Sequence, residues 1–542
     1  MAPRIAALAP LREKTFRRIW TANQISTFGG LIQGVGVAWM MTSLTTSASL
    51  IALVQATTTL PIMVFSLGAG ALADSFDRRI LMLVAQVFML IVSVGLAVTA
   101  YAGGLAPWNL LAFSFLIGMG TALNNPAFQA GLGDIVPREH LPEAVSLNGI
   151  GFNLMRGIGP AIGGLILAAA GAATTFAINA LSYLPLIAVL LLWRPNPKPD
   201  TIPREAFWSA VSAGLRYAAM SPNLLKVMAR GMVFGFGAVS VLALLPLVAR
   251  DLLQGGAVTF GVTLGCFGVG AVAGGLMNAR IRQRLGSETI VRVAFAGFAL
   301  ALMVMSFGTS LWLHAPALLV AGAAWVLALS LFNVTVQMSS PRWVVGRMLS
   351  IYQMATFGGM TLGSWIWGLM AGRFGTAGAL QVAGVCLLAG AAMGLRFGMP
   401  DFGRVDLDPS GRFKEPPLQL DLRGRSGPVM VMIDYVIDPD DITAFLAVMT
   451  DRRRIRRRDG ARHWVLLRDL EHADRWTESY HVATWNDYLR HNLRHTKADT
   501  DVSERILRLH RGPVPPQVHR MIERQSASQH HDVPLKEITE QI

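Results

Sequence analysis

Charge is the first thing this chain is short of. Only 15% of its 542 residues are Asp, Glu, Lys or Arg, where soluble globular chains carry about 25%. That deficit excludes an ordinary soluble enzyme of this length. It also excludes disorder, which needs low hydrophobicity and high charge. Cysteine is nearly missing: Cys266 and Cys386 stand alone inside apolar runs. They form no disulfide framework and no zinc spacing, and read as small buried hydrophobes. No phosphate-binding GxxxxGK[ST] loop is present, so use of ATP by such a loop is not expected. Scattered glycines such as Gly268 and Gly270 follow no strand and make no dinucleotide fingerprint. No cofactor and no metal are expected. The first 18 residues lack the short apolar run and small-residue cleavage site of a signal peptide, so no cleaved leader is expected.

Acidic residues are scarce where the chain is greasiest. Residues 1–427 hold 29 basic and 15 acidic residues, and residues 428–542 hold 18 of each. The whole formal charge of +14 therefore sits in the apolar part. Nucleic-acid binding would want those bases on one patch or stripe. Instead they recur in short clusters between long apolar runs, so nucleic acid is not an expected partner. The bilayer is. A helix needs about 20 apolar residues to cross it. Twelve candidate spans lie at 18–42, 48–72, 80–101, 107–129, 145–169, 173–193, 227–249, 257–279, 289–308, 314–338, 348–371 and 376–397. The expected fold is an all-α membrane bundle.

The loops set its orientation. Arg78, Arg79, Arg138, Arg194, Arg204, Arg280, Arg282, Arg284, Arg342 and Arg347 fall in one set. The other set is nearly bare, broken only by Arg250 and Arg373. Positive loops stay inside, which predicts both termini in the cytoplasm and an even number of spans. The longest interruption, 194–226, opens with Pro195, Pro197 and Pro199 and divides six spans from six. At an offset of 204, Gly70 meets Gly274, Arg78 meets Arg282, Pro137 meets Pro341, Arg138 meets Arg342 and Gly159 meets Gly363. Parallel repeats of this kind are a transporter architecture. The expected domains are two six-helix halves (1–193 and 227–397) joined by the central loop, a linker (398–427), a cytosolic α+β ferredoxin-like domain (428–520) and a tail (521–542). Within that domain strands are expected over 429–437, 463–470 and 475–483, and helices over 440–458, 485–495 and 501–510.

Two motifs carry a resemblance. Gly70-Ala71-Leu72-Ala73-Asp74-Ser75-Phe76-Asp77-Arg78-Arg79 resembles the loop signature of the major facilitator superfamily, GxLaDrxGrr, departing from it at Ser75 and Asp77. Its repeat copy keeps Gly274, Leu276 and Arg282 but has Asn278 in place of the acid. The resemblance implies that Gly70, Asp74, Arg78, Arg79 and Arg282 form a gating loop; the alternative is a charge cluster serving topology only. Arg156-Gly157-Ile158-Gly159-Pro160-Ala161-Ile162-Gly163-Gly164 resembles the antiporter motif, GPxxGG, of exporters in that superfamily. Gly159 and Gly163 allow a neighbouring helix to come close, and Pro160 bends its own helix. The alternative is ordinary small-residue packing. Arg156, a charge inside a span, calls for a cavity or a polar partner; substrate binding and a structural role stay equally open.

Asn23, Gln33, Trp39, Asn124, Asn125, Asn153 and Tyr352 are candidate cavity residues, with interhelical hydrogen bonding as the plainer reading. No Asp or Glu lies clearly inside a span, and Ser114 stands where the superfamily has an arginine in span four. Proton coupling is thus implied by the resemblance alone, without a carrier. The C-terminal segment, with Arg456–Arg458, Trp464, Glu478, Trp485 and Arg494-His495-Thr496, resembles the domain appended to bacterial transmembrane secretion effectors, which are similar to the enterobactin exporter group. It also resembles small antibiotic-biosynthesis monooxygenases. The expected function is secondary active export of small amphipathic molecules, drug or siderophore-like, by a monomer rather than an enzyme. An importer of the same fold, or a membrane-anchored enzyme or sensor, are the alternatives.

Overall fold

A helix that crosses lipid turns the usual polarity pattern inside out, and α3 (Arg78–Tyr101) shows this. Ile80, Val84, Val87, Ile91, Val94 and Val98 form an exposed stripe at helical spacing, while Gln86 and Ser93 are buried. The computed structural model describes residues 6–137, 140–194, 207–341, 343–400, 406–420 and 422–523. Its first part is helical: α1 (Lys14–Leu44), α2 (Ala48–Ser75), α3, α4 (Pro107–Ile135), α5 (Leu141–Leu192), α6 (Phe207–Ala219), α7 (Pro222–Leu247), α8 (Ala257–Arg284), α9 (Ser287–Phe307), α10 (Leu311–Met338) and α11 (Val345–Met393).

Among the described residues, nine of these helices are long and apolar enough to cross a membrane. Twelve spans are expected from the sequence, and the difference has two sources. In α1, Asn23, Gln24, Gln33 and several glycines dilute the hydropathy. In α5 and α11, two expected spans run on as one long helix, each interrupted at a single glycine. Gly171 has φ 80° and ψ 174°; Gly375 has φ 76° and ψ 166°. Side chains other than hydrogen avoid that region. The two breaks stand in the same register as the sequence repeat.

Between the two sequence halves, α5 packs on α8 and α2 on α11. The connections at one end of the bundle carry Arg78, Arg79, Arg284 and Arg347; those at the other are nearly uncharged. We call these the basic end and the bare end. The amphipathic α6 lies at the basic end, where Gly214 lets it approach Arg347 of α11.

After the linker the texture changes. β1 (Val429–Val436), α12 (Ile442–Asp459), β2 (Arg462–Arg468), β3 (Arg475–Val482), α13 (Trp485–Leu493), α14 (Lys497–Leu509) and β4 (Gln517–Ile522) follow in order. The sheet runs β2-β3-β1-β4, with every neighbour antiparallel. β1 alternates strictly, burying Val429, Val431, Ile433 and Tyr435. These pack with Phe445 and Met449 of α12, Trp485 of α13 and Ile506 of α14. Strand β4 has no counterpart in the sequence reading, because its residues are almost all exposed and carry no alternation.

Candidate functional site

The segment Gly159–Gly164 sits where three helices meet. Gly159 faces α1, where a methyl group would fall 3.0 Å from Leu31 Cβ, and Gly163 lies 3.1 Å by the same measure from the Cα of Ile32. Gly164 turns to α8. A methyl group there would lie 2.6 Å from the Cα of Gly261, and one on Gly261 would lie 2.7 Å from the Cα of Gly164. No side chain fits, so two backbones from opposite sequence halves touch. Gly265 continues this seam against Ala161. Gly261, which the sequence reading did not single out, is as much a part of the contact as the motif is.

The second seam joins α2 to α11. Gly368 lets Ser49 and Ala52 approach, the hydroxyls of Thr59 and Thr361 are 2.9 Å apart, and Ser66 donates to the carbonyl of Ser350 at 3.3 Å. At the bare end of this seam a pocket of about 710 Å³ opens between Thr46–Ser49, residues 250–252 and residues 368, 369, 371–373 and 375–377. Arg250 and Arg373, the two charges that break the loop pattern, both line it. Arg250 is paired with Asp251 at 2.6 Å.

Arg156 stands midway between Leu141 and the break at Gly171, at the centre of its helix segment. Its guanidinium lies over two rings of the other half: 5.8 Å from the centroid of Phe267 in α8 and 5.2 Å from that of Trp325 in α10. The rings are 5.8 Å apart at 74°. They meet because Gly322 lets α10 close onto the backbone of α8 at Phe267. Among the described residues no carboxylate pairs with Arg156. A cation–π contact is worth about 0.5–2 kcal/mol, while a central arginine costs roughly 2.5–3.5 kcal/mol on insertion scales. The two contacts together are worth roughly 1–4 kcal/mol, comparable to that cost.

At the basic end, the α2–α3 connection is tied down within its own half. Asp77 caps α3 by accepting from the Arg79 amide at 2.8 Å. Arg78 pairs with Asp134 at the end of α4, also at 2.8 Å. Arg79 donates to the carbonyls of Leu190 (2.7 Å) and Leu191 (2.9 Å), closing the C-terminus of α5. Arg282 occupies the last turn of α8. Asn278, in the acid's repeat position, donates to Ser330 at 2.9 Å. The surroundings of Gly70 and the side chains of Asp74 and Asn153 lie outside the described residues.

A glycine seam inside the GPxxGG segment thus joins helices of the two sequence halves. The profile of the transmembrane secretion effector family matches residues 5–528. The chain belongs to that family. It is a multi-pass membrane transporter. Relatives include the staphyloferrin A transporter of Staphylococcus aureus, 25% identical over 66% of this chain and 89% of that one. The enterobactin exporter EntS of Salmonella typhi is 26% identical over 69% of this chain and 89% of its own length. Macrolide efflux protein A of Streptococcus pyogenes is 23% identical over 48% of this chain and 65% of its own. The bundle also resembles a bacterial homolog of the human lysosomal transporter Spinster in an inward-facing, unoccupied conformation (TM-score 0.55, 13% identity, 72% of this chain and 95% of that one). The nucleoside transporter NupG gives a TM-score of 0.58 at 11% identity, over 71% and 99%.

In this secretion effector the remaining candidate residues separate into groups. Gln33 is buried and accepts from Asn179 (2.6 Å) and Ser93 (3.1 Å), with Tyr183 accepting from Asn179 at 3.0 Å. Asn124 is likewise buried, accepting from Gln86 at 3.1 Å, while Asn125 is exposed. Gln33 and Asn124 thus join helices α1, α3, α4 and α5 of one half. Trp39 stacks on Phe260 of the other half at 5.9 Å. Tyr352 is buried, its hydroxyl 3.4 Å from the carbonyl of Leu329, and Asn23 is half-buried in α1. The sequence reading missed Arg230, fully buried at the start of α7. It pairs with Glu288 of α9, which also accepts from the Met399 amide at 2.8 Å. The only signal available was a lone arginine just inside a span.

Proposed function

We propose that this secretion effector exports small amphipathic compounds, drug or siderophore-like, across the bacterial inner membrane by alternating access. The observation that carries the reading is the backbone contact of Gly164 with Gly261, which supports a role for the GPxxGG segment at a seam between the two sequence halves. Seams without side chains let rigid halves rock rather than deform. Its relatives in sequence are named as a siderophore transporter, an enterobactin exporter and a macrolide efflux protein.

The reading counts twelve crossings: α1, α2, α3, α4, both segments of α5, α7, α8, α9, α10 and both segments of α11. It places the basic end, both termini and the C-terminal domain in the cytoplasm. The sheet order β2-β3-β1-β4 and the β-α-β-β-α-α-β connectivity support a ferredoxin-like domain over 428–520 with the tail beyond it. The transporter works as a monomer and is driven by an ion gradient, with H+ as the coupling ion. Asp74, Arg78, Arg79 and Arg282 serve as the cytoplasmic gate, and Gly159, Pro160, Gly163 and Gly164 shape the interface.

The deciding experiment is a deletion strain scored for accumulation across a compound panel and rescued by the intact gene, followed by flux in everted vesicles. Export predicts uptake into everted vesicles without ATP; net uptake into intact cells instead would establish an importer. Asp74→Asn is expected to lower flux while leaving membrane insertion intact, and unchanged flux would remove Asp74 from the gate.

A further inference from the structure

Resting on the export reading, we propose that Arg156, Phe267 and Trp325 form the site for an acidic aromatic group of the substrate, a carboxylate or an ionised phenol carried on a ring. All three lie near the centres of the helices that carry them: Arg156 midway along its helix segment, Trp325 at the midpoint of α10, and Phe267 within about one turn of the midpoint of α8. Transporter sites form near the bilayer midplane, between repeats.

The chemistry of the three side chains selects the ligand. The guanidinium is a planar fork of donors matched to a carboxylate. Here it is committed only to two ring faces, with no carboxylate beside it among the described residues. The indole Nε1 of Trp325 is buried and likewise has no acceptor among the described residues. A guanidinium fork and a buried indole N–H without an acceptor among the described residues therefore belong to one cluster with two aromatic rings set face to edge. An acidic aromatic ligand satisfies both kinds of surface. Its anion draws Arg156 off the rings, its acceptor oxygen meets the indole N–H, and its ring takes the face that the guanidinium leaves. A cationic ligand meets a like charge at the same place and is rejected.

The site also spans the two repeats, since Arg156 comes from α5 and both rings from the other half. Empty, the arginine bridges the halves directly. Loaded, the ligand replaces that bridge. Occupancy thereby acts on the contact that the halves must remake as they rock, which is the differential interaction a ligand needs to shift a conformational equilibrium.

The test compares two dyes in cells that carry the intact chain or a variant: fluorescein, an anionic aromatic, and ethidium, a cationic one. Intact chain is expected to extrude fluorescein and leave ethidium. Arg156→Gln is expected to cut fluorescein extrusion at least tenfold, Arg156→Lys to retain a measurable part, and Trp325→Phe to lower it severalfold with the ring kept. Immunoblots of the membrane fraction score each variant for insertion. Purified intact protein should be thermally stabilised by fluorescein, and Arg156→Gln should not. Equal extrusion of both dyes, ethidium extrusion alone, or fluorescein extrusion and stabilisation indifferent to Arg156→Gln would overturn the proposal with export intact. Failure of export itself reads differently: the deletion strain then accumulates no compound of the panel and neither dye moves, and the proposal falls with it.

Discussion

The guanidinium of Arg494 lies 4.2 Å from the ring centroid of Trp343. One belongs to the end of α13 in the C-terminal domain, the other to the connection between α10 and α11. Beside this contact, Trp343 meets Tyr217 of α6 edge-on at 5.6 Å, Arg458 lies over Tyr217 at 5.5 Å, and Arg454 donates to the carbonyl of Met220 at 2.7 Å. The appended domain thus holds α6, the helix between the two repeats. Burial there pushes the Tyr217 hydroxyl up to about 12, so it stays a neutral partner at any physiological pH.

That docking is expected to be weak enough to measure. Each arginine–ring contact is worth about 0.5–1 kcal/mol at a partly exposed site, or roughly a two- to fivefold change in an equilibrium. Arg494→Ala with Trp343→Leu should raise hydrogen exchange in α6 and speed proteolysis of the 406–420 linker, with β1 exchange unchanged. Unaltered α6 protection in the double variant would show that another contact holds the domain.

The α5–α8 seam should tolerate nothing larger than hydrogen. Gly164→Val or Gly261→Val is expected to abolish flux, or nearly so, because the added carbons overlap the facing backbone. Gly30→Ala in α1, which meets nothing within 4 Å, is the control and should retain flux. Equal flux in all three would mean that the halves need not approach so closely.

The two helix breaks should behave alike. Alanine at Gly171 or Gly375 forces a side chain into a glycine-only conformation, at a cost of about 1–3 kcal/mol. Thermal unfolding in detergent should show comparable losses for the two single variants. A loss confined to one of them would argue that the breaks are not equivalent by symmetry.

Within the C-terminal domain, Glu478 is fully buried. It accepts from Arg456 (3.1 Å), Trp464 (3.0 Å) and Tyr435 (3.0 Å), with Arg452 at 3.6 Å. Burial alone would raise its carboxyl, but Arg456 and Arg452, with those hydrogen bonds, hold it down to about 2. A depressed carboxyl stabilises the fold above its unfolded value, about 4.3. That contribution is lost as pH falls toward 2. Glu478→Gln strands two buried guanidiniums and is expected to cost about 3–5 kcal/mol, read as faster exchange in β1 and β3 of the full chain at neutral pH. Exchange equal to the parent's would show that the cluster is not needed for the domain.

Much of this architecture was legible because lipid imposes a simple rule. Long apolar stretches between arginine clusters announce helices without reference to any partner. The repeat was legible for a similar reason: Gly171 and Gly375 stand at the same offset as Arg78 and Arg282, since the two copies face the same steric demand. The close packing around Pro160 was readable too, because small residues at helical spacing let a neighbouring backbone approach. The candidate amides fared differently. Gln33 and Asn124 differ in no local way from amides that line a cavity, yet both are spent on joining helices.

Covalent order alone thus determined the class of molecule and the common register of its two glycine breaks, because backbone polarity in hydrocarbon leaves few alternatives. Only folding in three dimensions decided that Gly164 meets Gly261, that Arg156 rests on Phe267 and Trp325, and that Arg494 finds Trp343. Those partners lie far apart along the chain, and which side chains meet across a seam depends on how packed helices cross, a property no single stretch of residues carries.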